Sequence, residues 1–184
     1  MKRTPLRLPE VLLLEPRVFS DDRGRFLELW RRESFAGVSS QPFVQDNLSV
    51  SRRGTVRGLH FQHPRGQGKL VGVLSGAAWD VAVDVRRGSP TFGQWAAVEL
   101  SAENGHQLWI PTGFAHGFQA LRDETAFWYK CTDVYQPDYE RTVHWADPVL
   151  AITWPLVADA LVSPKDAAAP RLSAMGLDTL PAYR

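Results

Sequence analysis

Alternation dominates the hydrophobic pattern of the chain. In AWDVAVDVR (78–86), Trp79, Val81, Val83 and Val85 fall on one side of an extended chain and Asp80, Ala82 and Asp84 on the other, the period-two signature of a strand. GKLVGVLSG (68–76) alternates Leu70, Gly72 and Leu74 with Lys69, Val71 and Val73, which predicts a strand apolar on both faces. QWAAVELSA (94–102), HQLWIP (106–111), FAHGFQAL (114–121) and TAFWYKCTD (125–133) read as further strands, parted by the turn sequences RRGSPTFG, ENGH and LRDE. Helical signal is weak and predicts only one or two turns over Arg31–Ala36. WADPVLAITWPL (145–156) reads as a connection, a short strand and a stop at Pro155. Beyond it the chain turns Ala/Pro/Ser/Asp-rich, the composition of a loose tail. Many short, closely spaced strands predict an all-β sandwich or barrel in a single domain over 1–184.

Composition narrows what such a barrel can do. The 184 residues are 44% hydrophobic and 22% charged, with 21 basic and 20 acidic side chains, an ordinary globular balance. That leaves no extended field to attract a nucleic-acid backbone, and Arg31-Arg32 and Arg52-Arg53 are too short for such a footprint. No apolar run reaches bilayer-spanning length. The start, MKRTPLRLPEVLLLEPR, is interrupted by prolines and acidic residues and reads as fold, not as a leader. The cytoplasm is the expected compartment. A single cysteine, Cys131, excludes an internal disulfide framework and an all-cysteine metal site; its strand setting suggests packing. Lysine is scarce, four residues against seventeen arginines, so an interior-facing lysine stands out.

Asp80 and Asp84 share one face of a strand, and that face must be wet, paired or functional there. Five histidines, His60, His63, His106, His116 and His144, are candidate metal ligands. However, His60 and His63 are an odd number of residues apart, which on a strand turns them to opposite faces, and a transition metal needs three or four converging ligands. Phosphate is better supplied, by the guanidinium forks of Arg23 and Arg57 and by Lys69. There is no glycine-rich phosphate loop. The stretch TVRGLHFQHPRGQGKL (55–70) also suits proton transfer. Histidine ionises near neutrality, a lysine beside a carbonyl favours an enolate, and PRGQG can fold His60 and Lys69 back toward one chamber. A core histidine with a solvated lysine is the plainer reading of the same residues.

The segments DDRGRFLELW, VQDNLSVSRRGTVRGLHFQ, QGKLVGVLSG, WDVAVDVRRGSPTFG, LSAENGHQLWIPTGFAHGF, YKCTDVYQPDYERTVHWADP, ITWP and SPKD follow one another from about residue 10 to about residue 175. In content and order they resemble the dTDP-4-dehydrorhamnose 3,5-epimerase family. The resemblance implies a cupin-like double-stranded β-helix (jelly roll), usually homodimeric. It implies no metal or organic cofactor, and a dTDP-4-keto-6-deoxy sugar inverted at C3 and C5. It points to His60 as base, Asp166 as its orienting carboxylate, Tyr129 as the acid on the opposite face and Lys69 as support for the 4-keto oxygen. It sets His116 in the pocket and Arg57 on the diphosphate, with Arg23, Glu28, Gln45 and Asn47 lining the nucleotide site.

Chemistry extends that assignment. One ketone acidifies both neighbouring C–H bonds, and inversion requires the proton to return from the other face. Tyr129 shares a strand face with Phe127 and Cys131, consistent with pointing inward. Tyr135, six residues on, is a second phenol, and the sequence leaves open which one carries the proton. Asp80 is a candidate partner for the Lys69 charge. Segment 155–184 is expected to pack on the barrel and deliver Asp166. Three other readings remain: a C3-only or C5-only epimerase of a related dTDP-4-keto-deoxysugar, a metal-dependent cupin enzyme, and a sugar-binding module.

Overall fold

The computed structural model describes residues 1–183. In chain order the strands are β1 (Lys2–Pro5), β2 (Leu12–Glu15), β3 (Val18–Asp21), β4 (Gly24–Leu27), β5 (Gln45–Ser51), β6 (Thr55–Gln62), β7 (Lys69–Ser75) and β8 (Ala77–Asp84). They continue with β9 (Trp95–Ser101), β10 (Gln107–Ile110), β11 (Phe114–Ala120), β12 (Thr125–Cys131), β13 (Glu140–Thr142) and β14 (Leu161–Val162). One helix, α1 (Pro164–Ala167), and four short 3-10 turns complete the described structure. One sheet has the order β1-β2-β10-β7-β12-β5, and the facing sheet the order β13-β6-β11-β8-β9, with β14 added parallel to β6. Apart from the consecutive pairs β1–β2 and β8–β9, neighbouring strands in these two sheets are distant in sequence. This is the all-β jelly roll expected, with helical turns confined to the periphery. No helix among the described residues is long and apolar enough to cross a membrane.

The alternation in β8 sorts its side chains as the pattern required. Val81 and Val83, with Val85 just beyond, join Leu59 and Phe61 in a buried cluster on the outer face of their sheet. Ala78 and Ala82 join Val71, Val73, Phe118 and Phe127 between the two sheets. Asp80 therefore points into the sandwich, where it is fully buried. Asp84, also fully buried, is a structural residue. It accepts hydrogen bonds from Arg86, Ser89 and Thr91, while the Arg86 guanidinium lies over the rings of Phe114 and Tyr183. β7 is buried on both sides, with Val71 and Val73 in the inner cluster and Leu70 packed outside with Trp109 and Phe35.

Two expectations need correction. The segment 145–156 contains no strand. Its apolar residues Leu150, Ile152 and Trp154 pack on the outer cluster, but its backbone turns through Ala151 at φ 48° and meets side chains in place of a strand partner. The Gln119 amide oxygen, for example, accepts from Leu156 N at 2.9 Å. Arg31–Ala36, by contrast, makes the single turn expected, closed by Phe35 N donating to Arg31 O at 3.2 Å. The stretch with a loose tail's composition is ordered differently from that description: Leu172 and Leu180 are buried against the outer sheet face. An apolar residue every few positions is enough to anchor a segment on an existing surface, even when it has no periodicity of its own.

Candidate active site

Between the sheets open two adjoining cavities of about 250 and 370 Å³, which share His60, Lys69, Tyr129 and Glu140 as lining residues. Sheet topology divides their walls. His60 and Arg57 on β6 and His116 on β11 come from one sheet; Lys69 on β7, Tyr129 on β12 and Gln45, Asn47 and Ser49 on β5 come from the other.

Arg57 and His60 both line the chamber, although an odd separation on a regular strand would turn them apart. A bulge resolves this. Phe118 pairs with Arg57 and His116 with His60, so two β6 residues, Gly58 and Leu59, face the single residue Gly117 on β11. Gly58 has φ +135°, and a Cβ there would lie 2.5 Å from Gly117 Cα. Only glycine fits that backbone and that approach.

α1 brings Asp166 beneath His60. His60 Nε2 and Asp166 Oδ1 are 2.7 Å apart, and the Gly58 amide donates to Asp166 Oδ2 at 3.3 Å. Ser163 caps α1 by accepting from the Asp166 amide at 3.1 Å. Burial pushes the Asp166 carboxyl up, but the His60 ring and the Gly58 amide outweigh it and hold the group below the usual carboxylate range. With Nε2 engaged, the other ring nitrogen of His60 is left for the chamber.

Lys69 is buried, and loss of hydration pushes its pKa below that of free lysine, opposed by Cys131, Glu140 and Asp80. The expected Lys69–Asp80 ion pair does not form. Asp80 Oδ2 instead meets His116 Nε2 at 2.9 Å. The register explains the choice, because β8 and β11 are neighbours whereas Lys69 lies in the opposing sheet. Desolvation lowers the pKa of buried His116 despite that carboxylate, and Lys69 and His60 lower it further.

The two phenols differ in setting. Tyr129 lines both cavities, and burial pushes its pKa up, so it stays protonated at neutral pH. Tyr135 lines only the smaller cavity and donates to Glu140 Oε2 at 3.0 Å. Glu140 was not among the sequence candidates. It lies on β13 opposite Gln62, accepts from Tyr135 and pairs with Lys165, the neighbour of Asp166. Nothing in its local sequence marks it, because a 3-10 turn and a three-residue strand carry no periodicity. Ser49 was also missed; its buried Oγ has no partner among the described residues. Here a signal existed, since Gln45, Asn47 and Ser49 alternate along β5 toward the chamber. Gln45 donates to Asn47 at 3.0 Å, and Arg57 donates to Ser51 Oγ at 3.1 Å.

Arg23 and Glu28 are not brought to this chamber within one chain. Arg23 is bound to Asp21 on the exposed β3–β4 hairpin, and Glu28 to Arg31 and Ser34. Among the described residues no three His, Cys, Asp or Glu side chains are grouped to hold a metal ion.

The family model described as dTDP-4-dehydrorhamnose 3,5-epimerase matches residues 5–174. The dTDP-4-dehydrorhamnose 3,5-epimerase of Pseudomonas aeruginosa is 54% identical over 168 residues, 90% of this chain and 93% of that one. The crystal structure of the Legionella pneumophila dTDP-6-deoxy-D-glucose-3,5-epimerase in complex with dTDP-4-keto-L-rhamnose superposes with a TM-score of 0.96 at 48% identity, covering 100% of this chain and 98% of that one. A 3'-monoepimerase from Streptomyces bikiniensis in complex with dTDP-quinovose gives a TM-score of 0.91 at 40% identity, covering 97% of this chain and 92% of that one.

Proposed function

Because the chain belongs to the dTDP-4-dehydrorhamnose 3,5-epimerase family, we propose that the two walls of its chamber divide that family's proton chemistry between them. The activity is that of a dTDP-4-dehydrorhamnose 3,5-epimerase, acting on a dTDP-4-keto-6-deoxy sugar. His60, backed by Asp166, removes a proton alpha to the ketone. Lys69 meets the negative charge that develops on the ketone oxygen, where a preorganised cation in a desolvated site is most effective. Tyr129, on the other wall, returns a proton to the opposite face of the carbon. The observation that carries this reading is the opposition of His60 on one sheet, backed by Asp166 from α1, to Lys69 and Tyr129 on the other sheet, across one cavity. The Tyr135–Glu140 hydrogen bond favours Tyr129 over Tyr135 as the acid. Arg57 holds the diphosphate, and Gln45 and Asn47 line the nucleotide site, supplying remote binding that keeps the sugar in register.

Product NMR after turnover in deuterium oxide tests the reaction. Deuterium is expected at both C3 and C5; label at a single carbon would establish a mono-epimerase instead.

Arg23 and Glu28 enter this scheme through a second copy of the chain. The β3–β4 hairpin exposes Phe19 and Phe26, and edge strand β5 exposes Leu48 and Val50, apolar surface that a homodimer would cover. Sedimentation velocity is expected to give a dimer, and a monomer at micromolar concentration would overturn this part.

A further inference from the structure

We infer that His116, with its tautomer set by Asp80, is a specificity residue that accepts a hydrogen bond from the substrate hydroxyl beside the ketone and so serves inversion at the hydroxyl-bearing carbon, C3, more than at C5. The inference rests on the epimerase reading above. Three observations carry it.

The first is the buried pair itself. His116 Nε2 lies 2.9 Å from Asp80 Oδ2, with both residues buried. Asp80 Oδ1 has no partner among the described residues, so the imidazole is the donor that satisfies this carboxylate. Turning the ring or moving its proton to the other nitrogen would leave a buried carboxylate without a donor, a costly state. The proton therefore stays on Nε2. Desolvation together with the nearby positive charge of Lys69 keeps the ring neutral.

The second is what remains for the substrate. His116 lines the larger cavity. With Nε2 committed, its free nitrogen is Nδ1, which in this tautomer carries a lone pair and no hydrogen. It can accept a hydrogen bond and cannot donate one, so His116 is unsuited to stabilise the enolate oxygen. That oxygen falls to Lys69.

The third is adjacency. His116 pairs directly with His60 across β6 and β11, and Lys69 is near enough to depress its ionisation. A ketone oxygen at Lys69 and a labile carbon at His60 bring the neighbouring substituent to His116. At C3 that substituent is a hydroxyl, which can donate. At C5 it is a methyl group, which cannot. One acceptor thus distinguishes the two half-reactions by holding the C3 hydroxyl in a reactive orientation.

The test compares solvent-deuterium incorporation at C3 and C5 in the unaltered enzyme and in His116→Gln, whose amide nitrogen reaches the place of Nε2 and still offers Asp80 a donor while the acceptor at the Nδ1 position is lost. The C3-to-C5 ratio of exchange rates is expected to fall about ten-fold or more in the variant, the effect of roughly one lost hydrogen bond. An unchanged ratio, with both rates lowered equally, overturns the inference while leaving the epimerase reading intact. Failure of the unaltered enzyme to exchange either hydrogen would overturn that reading, and the inference with it. Should the variant not fold, nitrogen-15 NMR of the unaltered enzyme decides. A neutral His116 ring protonated on Nε2 at pH 7 is expected, and a ring protonated on Nδ1, or on both nitrogens, overturns the proposal.

Discussion

Replacing His60 by alanine is expected to stop exchange of both labile hydrogens with solvent. A positioned general base contributes roughly 10²- to 10⁴-fold. Here one base is asked to serve two carbons, so both exchange rates should fall together by about 10³-fold, some 4 kcal/mol of barrier. The fold should survive. His60 is partly exposed to the cavity, and the outer cluster that packs its strand is built from Val56, Leu59 and Phe61. Exchange measured by NMR in deuterium oxide, beside a thermal melt, separates loss of chemistry from loss of structure. Persistent exchange at one carbon would mean that a second base acts there, and the assignment of a common base would fail.

The second large effect is expected from Asp166→Asn. The amide nearly matches the carboxylate in size and keeps an oxygen for the Gly58 N–H, but it cannot offset the imidazolium formed when His60 takes a proton. The corresponding change in serine-protease triads costs about 10⁴-fold in kcat; here about 10²- to 10⁴-fold is expected. Asp166 lies behind His60 and acts through it, so the loss should appear in kcat with KM little changed. A variant that raised KM alone would mark Asp166 as a binding residue. Stability has its own sign. The pair holds the folded carboxyl below its ordinary range, so its contribution is complete above the unfolded pKa and is lost as pH falls through the folded one. The asparagine variant should therefore lose less stability than the unaltered protein on acidification across that window, which melts at several pH values would measure.

The two substitutions differ in how visible their targets were. His60 sits in a stretch dense with arginine, histidine and lysine, and the chemistry of those side chains already suggested proton transfer. Asp166 lies in a segment whose composition describes a tail; only the family resemblance singled it out. Its hydrogen bond to His60 spans 106 residues, a separation no local pattern can register. Glu140 is a similar case, with its partners Tyr135 and Lys165 set by the docking of β13 and α1. Asp80 illustrates the limit of a partly right inference. Alternation put it on a face that had to be wet, paired or functional, but its partner depended on which strands are neighbours, and the lysine that seemed available belongs to the other sheet.

Local sterics and burial determined what was legible from the chain alone. Period-two alternation assigned the strands from Lys69 to Cys131, set Asp80 with Asp84 on one face and Tyr129 with Phe127 and Cys131 on another, and called for an all-β sandwich, because successive side chains of a strand must face opposite ways. Tertiary structure decided the rest. A bulge permitted by Gly58 and Gly117 swings Arg57 and His60 to the same side against their odd spacing. A segment without periodicity docks through Leu172 and Leu180 and carries Asp166 to His60. Strand order gives Asp80 to His116 and leaves Lys69 for the substrate. These outcomes depend on which surfaces come together when the sheets close, and that information resides in pairs of residues far apart in the chain.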